Sequence, residues 1–155
     1  MRITLQRGLA VAGAIGALAL AAGCGGDDGP SAEDYVRQGN EVCRRAVDDA
    51  KDVARPTGDS SDAVAAYANA FLPIAKRRLE GLRALEPAED DERFHERLIA
   101  EQERYVAAVE TLGEAAGRAD RATSARAAEE GARSARRSTL LYRELGLDTC
   151  AASSL

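Results

Sequence analysis

An all-α fold, an up-down-up-down four-helix bundle, is what three features of the sequence predict. Apolar residues recur every three or four positions over long stretches. No segment alternates with the period of a strand, and the breaks are short and rich in Pro, Gly, Asp and Ser. The chain of 155 residues holds only two Phe, four Tyr and no Trp. A core built chiefly from Ala, Leu and Val needs elements that approach closely, and helices with small-residue seams do this well.

The first helix is expected from Ala32 to Ala54. Ser31 can cap it, Asp34 stands in a capping-box-like position and Glu33 complements the dipole of the first turn. Tyr35, Gly39, Val42, Ala46, Ala50 and Val53 share one face, and Pro56-Thr57-Gly58-Asp59 ends the pattern. The second helix opens at Ser60 or Ser61, carries Val64, Tyr67, Ala68, Phe71, Ala75, Leu79, Leu82 and Leu85 at helical spacing, and stops before Pro87. Pro73 removes a donor and crowds the carbonyl of Asn69, so a kink rather than a break is expected there.

The third helix is expected from Asp90 or Asp91 to Ala116, with Phe94, Leu98, Tyr105, Val109 and Leu112 inward and Gly117 as its stop. Its acidic start, Glu89 to Glu92, suits a helix N-terminus. The fourth, capped by Asp120 or Thr123, shows a seam of Ala125, Ala128, Ala132, Ala135, Thr139 and Tyr142. Gly146-Leu147 then has the form of a Schellman stop. Antiparallel neighbours would gather Tyr35, Leu79, Leu82, Leu85, Phe94, Leu98, Tyr142 and Leu145 at one end, leaving a smaller, alanine-rich core at the other.

Ahead of this domain, Arg2 and Arg7 precede an uncharged run from Gly8 to Gly23, about 16 residues and short of the roughly 20 that span hydrocarbon. The run closes on Ala21-Ala22-Gly23-Cys24, small side chains beside an acylatable thiol. This segment resembles the lipobox of bacterial lipoprotein precursors, with Cys24 matching the lipid-modified cysteine and Ala22 and Gly23 the two positions before it. Ala21 departs from the Leu usual at its position, and Leu20 lies one place further back. The resemblance implies a signal peptide over 1–23, a lipidated and flexible tether over 24–30, and a helical domain over 31–155 held by an acyl group such as palmitate on Cys24 at the extracytoplasmic face of the cell membrane. Asp34-Tyr35, Asn40-Glu41-Val42-Cys43, Leu82-Arg83-Ala84-Leu85-Glu86-Pro87 and Glu144-Leu145-Gly146-Leu147 further resemble small helical lipoproteins of high-GC Gram-positive bacteria, a family that implies no activity.

With Cys24 acylated, Cys43 and Cys150 remain as an even pair in an oxidising compartment, so a disulfide between them is expected. Cys43 lies about 17 Å along the first helix, and the tail after Leu145 reaches about 17 Å when extended. The bridge therefore requires the tail to fold back on the first helix.

Chemistry is sparse. Loss of Arg2 and Arg7 with the leader leaves the domain more acidic than the −5 of the whole chain, a poor match for nucleic acid. Glu92-Arg93-Phe94-His95 has the spacing of one di-iron half-site, and His95-Glu96 begins like a zinc-protease motif. His95 is the only histidine, however, and Ile99 stands where the second zinc ligand belongs. His95 is therefore expected as a partly exposed helix residue, with no metal, cofactor or catalytic residue assigned. Lys76-Arg77-Arg78 is expected as a solvated face with Glu80 and Glu101 as partners. Asn69, Gln102 and Tyr105 are expected to form a polar spot level with Pro73, where Gln102 could repair the freed carbonyl or mark a ligand pocket.

Two functions from different classes follow. One is a non-enzymatic, membrane-tethered module that binds a protein or envelope component through its faces, without nucleic acid. The other is a small-molecule-binding or sensory bundle. A dry alanine core favours the first, and a cavity lined by Tyr67, Tyr105 or Gln102 favours the second.

Overall fold

The computed structural model describes residues 31–58 and 60–153. The leader, the lipobox with Cys24 and the tether lie outside the described residues. Within them the order is α1 (Ala32–Ala50), α2 (Ser61–Arg83), a 3-10 turn (Glu89–Asp91), α3 (Glu92–Gly117), α4 (Arg121–Glu144) and α5 (Asp148–Ala152), with no strand. The chain is an all-α bundle.

Caps fix most of the helix starts. Ser31 Oγ accepts from the Asp34 amide at 3.1 Å and Ser60 Oγ from that of Ala63 at 3.3 Å. Asp120 Oδ1 accepts from the Thr123 amide at 3.0 Å. The ends differ more from expectation. α1 stops at Ala50 rather than Ala54: Asp48 and Asp49 crowd the negative end of the dipole, and no base stands in the last turn to offset them. α2 runs unbroken past Pro73, whose missing donor faces the exposed side, and ends at Arg83, ahead of the extended backbone that Pro87 imposes on its predecessor. Gly117 does not stop α3 but belongs to its last turn. The left-handed residue is Ala119, at φ 55°, and Asp120 N–H reaches back to the Ala115 carbonyl at 2.9 Å.

Neighbouring helices run antiparallel. Asp49, Val42 and Gly39 of α1 meet Arg77 and Gly81 of α2 and, just beyond its end, Leu85, in descending register. Asn69, Lys76, Arg78 and Arg83 of α2 meet Gly113, Glu110, Tyr105 and Glu103 of α3. Ala108 and Gln102 of α3 meet Gly131 and Ser138 of α4. The bulky end forms as expected: Tyr35, Leu82, Leu85, Leu98, Tyr142 and Leu145 share one cluster, with Phe94 packed on it. Leu79 belongs instead to the second cluster, with Ala46, Phe71, Ile74, Ala75 and Val106.

The C-terminal tail makes a fifth helix. Gly146, at φ 68°, turns the chain, and the Leu147 amide bonds back to the Tyr142 carbonyl at 2.8 Å, closing the Schellman motif. Leu147 is fully buried and lies over Gly39, where an added Cβ would meet its Cδ2 at 2.6 Å. The Thr149 amide donates to Asn40 Oδ1 at 2.8 Å, and Cys43 and Cys150 are joined with their Cα atoms 5.1 Å apart. As a result α5 packs between α1 and α4.

The fourth seam is displaced from the expected one. The buried stripe of α4 is Ala127, Gly131, Ser134, Ser138 and Leu141, continued by Tyr142, whereas Ala125, Ala128 and Ala132 are exposed. Glycine or serine at the seam lets α3 and α4 approach closely, and of the two serine hydroxyls Ser138 Oγ accepts from Gln102 Nε2 while Ser134 Oγ has no protein partner. The alanine stripe faces outward because α4 packs on α3 and α5, not along the length of α1.

Ala119 carries a left-handed backbone that costs an L-residue about 1–2 kcal/mol. Part of this returns through the unfolded chain when glycine is substituted. Ala119→Gly is expected to raise unfolding free energy by about 0.5–1 kcal/mol in urea titration, and Ala119→Val to lower it. The reverse order would exclude this conformation.

Candidate functional site

The exposed alanine stripe is one wall of a groove. Between α2, α3 and α4 lies a cavity of about 440 Å³, walled by Tyr67 and Phe71 of α2, Tyr105, Val109 and Leu112 of α3, and Ala128, Ala132 and Ala135 of α4. Arg136, Thr139 and Ser153 close the end toward the bulky core. Toward the other end, Leu112 and Ala128 are shared with a second hollow of about 440 Å³ that continues to Val64, Ala125 and Arg121. The two form one channel along α4.

Its aromatic wall is held by ring contacts. Tyr67 stacks on Phe71 with centroids 5.8 Å apart, and Phe71 meets Tyr105 edge-on at 6.4 Å. On the Tyr105 ring sits the Arg78 guanidinium, 5.4 Å from the centroid.

Arg78 overturns the expectation of a solvated basic run. Lys76 does face outward and pairs with Glu110 at 2.9 Å, and Arg77 pairs with Asp49 at 2.8 Å. Arg78 is only 4% exposed, its Nε has no hydrogen-bond partner, and it joins none of the ion pairs formed among the described residues. Glu101, expected beside the run, instead takes Arg104 at 2.6 Å and Arg137 at 3.5 Å. The run hides one residue on the inward face: Arg78 follows Ile74 by four and precedes Leu82 by four, and both are buried.

The expected polar spot does not assemble as a trio. Asn69 is exposed and lies against Gly113, whose added Cβ would stand 2.8 Å from Asn69 Oδ1. Gln102 is a different part of the bundle: it is 2% exposed, and its Nε2 donates to Ser138 Oγ at 2.7 Å. The α2–α3 register sets Asn69 at Gly113 and Lys76 at Glu110, so Pro73 lies between those levels and away from Gln102, which cannot serve the Asn69 carbonyl. Tyr105 lies between the two, at the level of Arg78. A polar layer nevertheless crosses the bundle there. Gln102 Oε1, Glu101 Oε2, Ser134 Oγ and Tyr142 Oη join Arg78 Nε as buried atoms without a protein partner. Burial raises the phenol pKa of both Tyr105 and Tyr142, and Arg78 opposes it. Arg78 therefore faces neutral hydroxyls rather than an anion.

His95 is also buried, at 8% exposure, and this corrects the expectation of a partly exposed helix histidine. The start of α3 sits against α1, where Tyr35 Oη and His95 Nδ1 are 2.9 Å apart. Desolvation lowers the His95 pKa, with Glu96 opposing, and burial raises that of Tyr35, with Asp91 adding to it. Among the described residues no group of three His, Cys, Asp or Glu is placed to hold a metal ion, and no helix is long and apolar enough to cross a membrane. Comparison with family models, curated proteins and solved structures returned no match.

A buried charge without a counter-ion costs more than an apolar residue of similar volume. Arg78→Met is expected to raise the melting temperature, by about 1 kcal/mol or more in stability, and a drop would show that the guanidinium is fully compensated. His95 sets a separate dependence on pH. Its folded pKa lies below the ordinary 6.5, so the unfolded chain binds more protons. Its contribution is complete above pH 6.5 and is lost as pH falls from there through the folded value. The carboxylates with lowered pKa act only in the acid range, Asp34 and Asp120 below their ordinary 3.8 and Glu130 below its ordinary 4.5. Urea midpoints measured down from pH 7 should therefore fall in the wild type before the carboxylate range and stay flat in His95→Gln.

Proposed function

We propose that the chain is a non-enzymatic, membrane-tethered binding module, held on the extracytoplasmic face through Cys24, whose α2–α3–α4 channel takes an elongated apolar ligand. The observation that carries this reading is the cavity of about 440 Å³ with Tyr67, Phe71 and Tyr105 on one side and exposed alanines on the other. That volume is in the range of small-molecule sites, which are concave, mostly apolar and few per protein. Rings already stacked on one another need little reordering when a ligand arrives, so less of the contact energy is spent on it.

The absence of an acid–base role supports a binding function rather than catalysis. The only histidine bonds to Tyr35 within the core, away from the channel walls, and among the described residues no carboxylate lines either hollow. A second reading, docking of a helix from an envelope protein, rests on the same exposed stripe. Ala125, Ala128 and Ala132 would let a partner backbone come close. It ranks below the first because a helix needs a broad open face, whereas the aromatic side of the channel forms a pocket.

Ala132 is exposed, so a larger side chain there fills the channel without disturbing the core. A neutral fluorescent probe, N-phenyl-1-naphthylamine, is expected to bind the wild type with one-to-one stoichiometry. Ala132→Phe should lose that binding by about tenfold or more while keeping its helical circular dichroism. Equal binding by both proteins would remove the channel from consideration.

A further inference from the structure

The charges around the channel are one-sided. Among the described residues, Arg136 is the only charged residue lining the first hollow and Arg121 the only one lining the second. Neither belongs to an ion pair formed among the described residues, which is also true of Arg126 and Arg143, whereas Arg133 pairs with Glu129 and Glu130, and Arg137 with Glu101. Three other concavities on the surface mix acids with their bases, as Asp49 and Glu80, Glu101 and Glu144, and Glu129 and Glu130. In a chain with 26 acidic and 21 basic residues, a channel that no acid lines among the described residues stands apart from those three concavities.

One end of the channel gathers more than a single cation. Arg136 stands with the hydroxyl residues Thr139 and Ser153, and the Tyr105 wall beside it is backed by Arg78, buried and without a carboxylate. An uncompensated charge in a low-dielectric interior acts over a longer range than one in water, so Arg78 adds to the positive potential at this end. From Arg136 the alanine face runs about 16 Å to Ala125, at 1.5 Å per residue, with no polar side chain on the Ala132 and Ala128 steps.

We propose that the channel binds a single-chain anionic amphiphile, a free long-chain carboxylate, with its acid group at Arg136 and its hydrocarbon along the alanine face of α4. This rests on the channel being a ligand site at all, and it adds the chemical class of the ligand and its direction. The carboxylate accepts from the Arg136 guanidinium, and Arg78 supplies field from behind Tyr105 without touching it. A charge-assisted bond of this kind is worth about tenfold or more in affinity.

The test is a fluorescence titration of the full chain carrying Cys24→Ser, which cannot be acylated, with cis-parinaric acid and with its methyl ester. The expected result is tighter binding of the acid than of the ester. Arg136→Gln should weaken the acid by about tenfold and leave the ester unchanged, and Arg136→Lys should recover part of the loss. Arg136 is exposed, so these variants keep the fold. Acid and ester binding alike in all three proteins would overturn the carboxylate assignment and leave the apolar-ligand reading standing. No binding of either molecule, with the neutral probe also unbound, would overturn both. A dimer in sedimentation that Ala132→Phe dissociates would overturn the proposal in favour of a second copy in the channel. Loss of acid binding in the acylated wild type, with binding in Cys24→Ser, would overturn it in favour of the protein's own acyl chain.

Discussion

The attachment of α5 to α1 is the constraint on which the arrangement of the bundle depends. Leu147 occupies the space that Gly39 leaves open, Thr149 bonds to Asn40, and Cys150 is joined to Cys43 across 107 positions of sequence. A cross-link over so long a loop removes unfolded-state entropy worth about 4 kcal/mol on a chain-entropy account. Its effect on architecture is as large. With α5 lying on α1, the last helix of the bundle packs on α3 and α5 rather than along α1. α1 and α4 share only the cluster around Tyr35, Leu141 and Tyr142. The other half of α4 keeps one face uncovered, and the channel lies under that face.

Arg78 shows what this opening is set against. The rest of the basic run resolves into exposed ion pairs, each of little consequence for stability. Arg78 alone turns inward and finds a Tyr105 ring and neutral hydroxyls. Cation–π contact returns part of the desolvation cost, on the order of 1–2 kcal/mol, which is less than several kcal/mol for an ion taken from water. The bundle thus carries a local deficit in stability beside an apolar hollow. Such a deficit is common where binding rather than packing has shaped a site, because a charge without a partner in the free protein adds its field to the neighbouring site.

The helices were legible in the sequence from their caps and spacing, since Ser31, Asp120 and Gly146-Leu147 are local signals that act through neighbouring backbone groups. The bulky end was legible too, because large side chains mark their own face. What escaped was the choice between adjacent faces of α4. The stripe through Ala125, Ala128 and Ala132 is the more apolar in composition, yet the buried one contains Ser134 and Ser138. Serine is small enough to serve at a tight seam, and composition alone ranks it below alanine. The register of α2 against α3 was likewise invisible, so Gln102 was aligned with Pro73 instead of with Ser138. Arg78 was open to discovery by periodicity, four residues from both Ile74 and Leu82, but a run of three bases masks it.

Alanine explains why an apolar channel can stay open in a stable protein. Each exposed methyl presents little area, and at about 25 cal/mol per Å² the loss from leaving such a stripe wet is small beside that of exposing leucines. The larger side chains of the channel do not share that exposure. Phe71 is 3% exposed within the cluster of Ala46, Ile74, Leu79 and Val106, and the partly buried Tyr67 and Tyr105 are fixed against it by stacking and edge contact, so the aromatic wall holds its own shape. One wall is therefore cheap to expose and the other is self-supporting. A ligand entering between them would gain contact with rings already in place and displace water from methyl groups that hold it weakly. The same small residues that let the helices of this tryptophan-free core approach one another thus leave, where no helix approaches, a surface shaped to receive something else.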